Sequence, residues 1–78
     1  MKNLATLQGI FREVFDDDTL VISPTTGAQE IRDWDSIAHV KLILAMESEF
    51  DIRFMSEEVS KLKTVGDFLA KIERYQAG

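Results

Sequence analysis

Apolar positions along the 78-residue chain fall at helical spacing in three stretches. Leu4, Leu7, Phe11, Val14 and Phe15 recur at i, i+3, i+7, i+10 and i+11, the pattern of a helix with one buried face. This predicts a first helix over about Asn3–Phe15, slightly weakened by Gly9. Asp16-Asp17-Asp18 ends it, because carboxylates at a helix C-terminus oppose the dipole. A second helix is expected from Ser36 to Phe50, capped by Asp35 or Ser36 and closed by Asp51. A short third helix fits between Ser56 or Glu57 and Lys61. Thr64-Val65-Gly66-Asp67 reads as a capping box that opens a fourth helix, running to about Tyr75 and burying Val65, Phe68, Leu69 and Ile72. No period-2 alternation predicts a strand. The expected fold is all-α: a small four-helix bundle, three longer helices and a short third one, in a single domain over residues 1–78.

Two features depart from a plain bundle. Between the first two helices lies a long connection containing Ser23-Pro24-Thr25-Thr26-Gly27. Leu20, Val21, Ile22, Ala28 and Ile31 within it imply that it packs on the core, and an ordered loop this long is often functional. The second helix is apolar on two sides. At 100° per residue, Leu42, Ile43, Met46 and Phe50 fall on one side, while Ile37, Val40 and Leu44 fall almost opposite. The first stripe is the better core candidate. The second is either buried under the long loop or left exposed beside Ser36 as a surface for a partner.

Composition removes several functions. One thin core leaves no room for a deep catalytic cleft. There is no cysteine, hence no disulfide, thiolate nucleophile or cysteine metal site. Fourteen acidic against nine basic residues give a net charge of −5, which disfavours nucleic acid and suits docking to basic protein patches. No apolar run reaches the length of a membrane span, no signal-peptide pattern opens the chain, and a cytoplasmic monomer is expected. Asp16-Asp17-Asp18 fails as a calcium loop, since the fifth and sixth positions counted from Asp16 are Leu20 and Val21. His39, the single histidine, has no second ligand for a metal, and a half-buried structural role is expected. Trp34 is expected to anchor the loop to the bundle.

Read alone, Ser36 is a serine at a helix start. Its surroundings carry more. Residues 33–52, Asp-Trp-Asp-Ser-Ile-Ala-His-Val-Lys-Leu-Ile-Leu-Ala-Met-Glu-Ser-Glu-Phe-Asp-Ile, resemble the signature of acyl carrier proteins. That family carries Asp-Ser-Leu or Asp-Ser-Met, a valine four positions on, and a leucine-rich helix ending near Glu-Glu-Phe; Ile37 stands here for the usual leucine. Ser56-Glu57-Glu58 and Lys63-Thr64-Val65-Gly66-Asp67-Phe68 continue the likeness, which spans about Leu4 to Ile72.

The resemblance implies a carrier and not an enzyme, with no catalytic residue and no metal of its own. It implies that a phosphopantetheinyl transferase (holo-ACP synthase) moves 4'-phosphopantetheine from coenzyme A onto Ser36, with Asp35 helping to present the serine. The arm's thiol then holds acyl groups as thioesters for partners of fatty-acid, polyketide or related biosynthesis: acyl-loading enzymes, ketosynthases or acyltransferases. Docking falls to Ile37, Val40, Lys41, Leu44 and Glu47. Candidates for an acyl pocket are Val40, Met46, Phe50, Phe54, Val59, Leu62 and Phe68, and the bulk of Phe54, Val59 and Phe68 implies short or weakly sequestered cargo.

Some positions depart from the family. Ala38, Lys41 and Ser48 replace residues that are often acidic in fatty-acid carriers, which points to a dedicated partner set. Trp34 before Asp35 looks like carriers of specialised or polyketide-type pathways. A peptidyl or aminoacyl carrier is an alternative, although the usual glycine-rich context is absent: Arg32-Asp33-Trp34 precedes Asp35. A helical interaction module that never receives the arm is the alternative from another class.

Overall fold

The computed structural model describes residues 2–77 and contains four helices: α1 (Lys2–Val14), α2 (Ser36–Phe50), α3 (Ser56–Val59) and α4 (Val65–Ala77). Among the described residues there is no strand, only an isolated bridge between Gly27 and Thr64. The fold is the small helical bundle that the pattern predicts. α1 starts and ends one residue earlier than expected, and α4 runs two residues further.

Each helix end has a visible cause. Asp16 and Asp51 adopt left-handed backbone, φ 51° and 55°, just past the ends of α1 and α2. Asp51 N–H closes α2 onto the Glu47 carbonyl. The Asp35 carboxylate accepts the Ala38 N–H at 2.8 Å and caps the start of α2, so the cap is Asp35 and Ser36 is the first helical residue. At α4 the capping box is reciprocal. Thr64 Oγ1 accepts the Asp67 N–H at 3.1 Å, and Asp67 Oδ2 accepts the N–H groups of Lys63 and Thr64 at 3.0 and 3.1 Å. These bonds, the Lys63 amide foremost, hold the Asp67 carboxyl below its usual range. α3 stops at Val59 and not at Lys61, because the chain there tightens into three-residue turns: Lys61 N–H bonds to the Glu58 carbonyl and Leu62 N–H to the Val59 carbonyl.

The core is a single cluster. Leu7, Ile10 and Phe11 of α1 meet Leu42, Ile43 and Met46 of α2 and Val65, Phe68, Leu69 and Ile72 of α4. Phe50 packs against this cluster from its edge and stays half-buried. The long α1–α2 loop adds Ile22, Ile31 and Trp34. Polar bonds fix that loop on both sides. Towards α1, Arg12 Nε donates to the Leu20 carbonyl at 2.7 Å and Ile22 N–H donates to Gln8 Oε1 at 3.1 Å. Towards α4, Val65 N–H reaches the Thr26 carbonyl at 2.8 Å, Gly66 N–H the Pro24 carbonyl at 2.8 Å, and Ala28 N–H the Lys63 carbonyl at 3.1 Å. A side chain at Gly66 would place its Cβ 2.7 Å from the Pro24 carbonyl oxygen, so this close approach requires glycine.

One carboxylate gathers α3 onto α4. Glu58 accepts the Tyr75 hydroxyl at 2.7 Å, the Met55 N–H at 3.0 Å and the Lys71 ammonium at 3.0 Å. These donors, Tyr75 first, pull its carboxyl down to about 2, and the same bond raises the Tyr75 phenol.

Candidate functional site: the start of α2 and its groove

The site is built around Ser36. Its side chain is exposed at the first position of α2. Four backbone N–H groups at a helix start lack intrahelical partners. Here Ala38 N–H goes to the Asp35 carboxylate and Asp35 N–H to the Asp33 carbonyl at 2.9 Å, while His39 N–H makes the first helical bond, to the Asp35 carbonyl at 2.9 Å. The N–H groups of Ser36 and Ile37 find no partner among the described residues. A hydroxyl therefore stands at the positive end of a 15-residue helix beside two free donors, a setting that favours a phosphate.

An open groove of about 560 Å³ begins at Asp35 and Ser36. Ala28, Val40, Val59 and Leu62 supply apolar wall, Ser56 and Ser60 hydroxyls, and Lys63 is the cation among the described lining residues. Trp34 and His39 also line it. Trp34 is buried, T-shaped against Phe11 at 5.3 Å between centroids and stacked on Phe68 at 5.9 Å with an 18° interplanar angle, so it does anchor the loop. Its indole Nε1 donates to His39 Nδ1 at 3.1 Å. An indole N–H only donates, so Nδ1 is the bare nitrogen and the proton sits on Nε2, 2.8 Å from the Val59 carbonyl.

The remaining predicted residues divide by place. Ile37, Val40 and Leu44 are 67%, 52% and 60% exposed, which decides the question of the second stripe: it is not buried under the loop. Lys41 is exposed among them. Glu47 is half-buried, and its carboxylate accepts the Phe54 N–H at 2.9 Å, so it also pins the α2–α3 connection. Of the pocket candidates, Val40, Val59 and Leu62 line the groove. Met46 and Phe68 have no exposed surface and lie in the core, while Phe54 is buried with its ring against Tyr75. Sequence reasoning missed Ala28, Ser60 and Lys63 as groove residues. They come from the loop and from the α3–α4 turn, where no periodic signal exists. Among the described residues no three acidic or histidine side chains gather as a metal site. Among the described residues no helix is long and apolar enough to cross a membrane.

An exposed serine hydroxyl at a helix start, free amides beside it and a groove leading away form a setting that suits a phosphate-bearing group. Comparison with known proteins shows the family: a family model described as a phosphopantetheine attachment site matches residues 5–72. An acyl carrier protein of Acidothermus cellulolyticus is 36% identical over 64 residues, covering 82% of this chain and 76% of that one. An acyl carrier protein of Helicobacter hepaticus is 32% identical over 73 residues, covering 94% and 96%. The solution NMR structure of a holo acyl carrier protein from Geobacter metallireducens superposes with a TM-score of 0.89 at 42% identity, covering 99% of this chain and 88% of that one. The chain belongs to the acyl carrier protein family. It is a carrier and not an enzyme, and its cofactor is a covalently attached phosphopantetheine.

Proposed function

We propose that Ser36 is the attachment point and that this carrier presents acyl thioesters to a dedicated set of enzymes. The observation that carries the reading is the exposed Ser36 hydroxyl at the start of α2 with the unpartnered N–H groups of Ser36 and Ile37 beside it. Those amides and the helix dipole stabilise the phosphodiester, and Lys63 adds a cation at the groove. Asp35 holds the helix start rigid through its bond to Ala38 N–H, which fixes where the serine points for the transferase. When bound, the group supplies a terminal thiol on a long flexible arm. The chain itself therefore needs neither cysteine nor a base next to Ser36.

The exposed stripe Ile37, Val40 and Leu44 is the docking surface in this reading. Lys41 within it adds positive charge where a basic partner would meet repulsion, which favours partners whose facing patch is neutral or acidic. The carrier thus serves a specialised pathway in the cytoplasm as a monomer, apart from the main fatty-acid synthase. Binding assays with standard fatty-acid elongation enzymes check the partner choice: weak binding that tightens in Lys41→Glu is the expected result. Cargo is short or weakly sequestered, since Met46 and Phe68 already fill the space behind the groove.

Intact-mass spectrometry after incubation with coenzyme A, magnesium and a broad-specificity phosphopantetheinyl transferase tests the attachment. Wild type gains one phosphopantetheine unit and Ser36→Ala gains none. An equal gain in Ser36→Ala would remove the assignment.

A further inference from the structure

We infer that His39 is the residue that decides where the acyl chain lies, acting as a hydrogen-bonded strut that keeps cargo in the outer groove and out of the core. The inference rests on attachment at Ser36.

Two routes lead away from that serine. One runs along the open groove past Val40, Val59 and Leu62. The other direction is inward from the floor of that groove, towards Leu42, Met46 and Phe68, none of which has exposed surface. His39 lines the groove and its ring lies against Phe68, so it separates the groove from that buried cluster. It lies three residues after Ser36, on the adjacent position of the same helix face. Both ring nitrogens are committed: Nδ1 accepts from Trp34 Nε1 at 3.1 Å and Nε2 donates to the Val59 carbonyl at 2.8 Å. The ring also lies against Trp34 and Phe68, at 6.1 and 5.8 Å between centroids. The loop, α2, α3 and α4 therefore meet at one imidazole.

Parting α2 from α3 breaks the bond to Val59. A methylene chain entering there offers neither donor nor acceptor to the groups it separates. Among the described residues every buried side-chain nitrogen and oxygen has a partner, so entry would create an unsatisfied pair where none exists now. The groove route leaves the strut intact. His39 also has a fixed tautomer, because Trp34 can only donate to it. Trp34 is thus a positioning residue for His39.

The test uses the full chain loaded with butyryl-, octanoyl- and dodecanoyl-phosphopantetheine, checked first by intact mass. Methyl resonances and chain-to-side-chain NOEs then locate the cargo. In wild type, NOEs are expected to Ala28, Val40, Val59 and Leu62, with the Met46 and Leu42 methyls unmoved. In His39→Ala, octanoyl cargo is expected to contact Met46, and the melting temperature to rise by about 4 °C or more on acylation. His39→Gln keeps a donor for the Val59 carbonyl and is expected to restore the wild-type pattern, which loss of ring packing alone would not do. Trp34→Phe keeps an aromatic ring while removing the Nε1 donor, and is expected to fall between wild type and His39→Ala. Octanoyl NOEs to Met46 or Phe68 in the wild type would overturn the inference whether or not the variants fold. Failure of the wild type to take up the arm would instead overturn attachment at Ser36, and the strut's role with it.

Discussion

α2 and α4 are close in length, 15 and 13 residues, and share one core, yet their sequences are built differently. α4 is one-sided. Val65, Phe68, Leu69 and Ile72 go in, while Ala70, Glu73, Arg74 and Gln76 stay out. α2 buries Ala38, Leu42, Ile43 and Met46 and still leaves Ile37, Val40 and Leu44 more than half exposed. Folding accounts for every apolar residue of that inner row in α4. In α2 three large apolar side chains remain in water, where they add nothing to the stability of the isolated chain. The contrast separates apolar residues that the fold uses from apolar residues that it leaves in water.

The sharpest way to break this contrast is to truncate both sides of α2. Leu42→Ala should cost about 2–5 kcal/mol in urea unfolding, as buried leucine truncations do. Leu44→Ala should stay within about 0.5 kcal/mol of wild type, while weakening transfer of cargo to a partner enzyme. An equal loss from the two would mean that the outer stripe also holds the fold. Next in size, Asp35→Ala removes the cap on Ala38 N–H and should lower stability by about 1 kcal/mol, with slower phosphopantetheinylation at saturating coenzyme A. Asp35→Asn should keep most of the stability, which isolates any role for the charge in presenting Ser36.

A comparable gain is expected on the plain side of the molecule. Gly9 is exposed in the middle of α1 with nothing within 4 Å of an added Cβ, so Gly9→Ala should stabilise by about 0.5–1 kcal/mol. The smallest effect concerns the α3–α4 clamp. The folded Glu58 carboxyl lies at about 2, below its ordinary 4.5. Its contribution is therefore complete above pH 4.5 and disappears as the pH falls towards about 2. Melting curves across that window should fall less steeply for Glu58→Gln than for wild type. A parallel fall would show that the clamp adds nothing to folding.

Much of this was legible in the chain. The bounds of α2 follow from Asp35, Ser36 and Asp51, and the α4 capping box from Thr64 and Asp67, because caps and periodicity are local. Ser36 stood out through its neighbours in sequence, and Trp34 and His39 through each being the single residue of its type. The partners of those two were not legible. His39 reaches Val59, 20 residues away, and Glu58 reaches Tyr75, 17 residues away. No spacing rule links residues that meet only once the helices pack. The early end of α3 was hidden for a related reason: Lys61 and Leu62 continue in tighter turns that share the helix's composition.

The stitching of Pro24–Ala28 to Lys63–Gly66 has a consequence for synthesis. The segment that leads into Ser36 is splinted by residues translated about forty positions later. A nascent chain that ends before Lys63 has the serine but not the splint. The loop that leads into Ser36 is therefore tied down on its α4 side only once Lys63–Gly66 have been made.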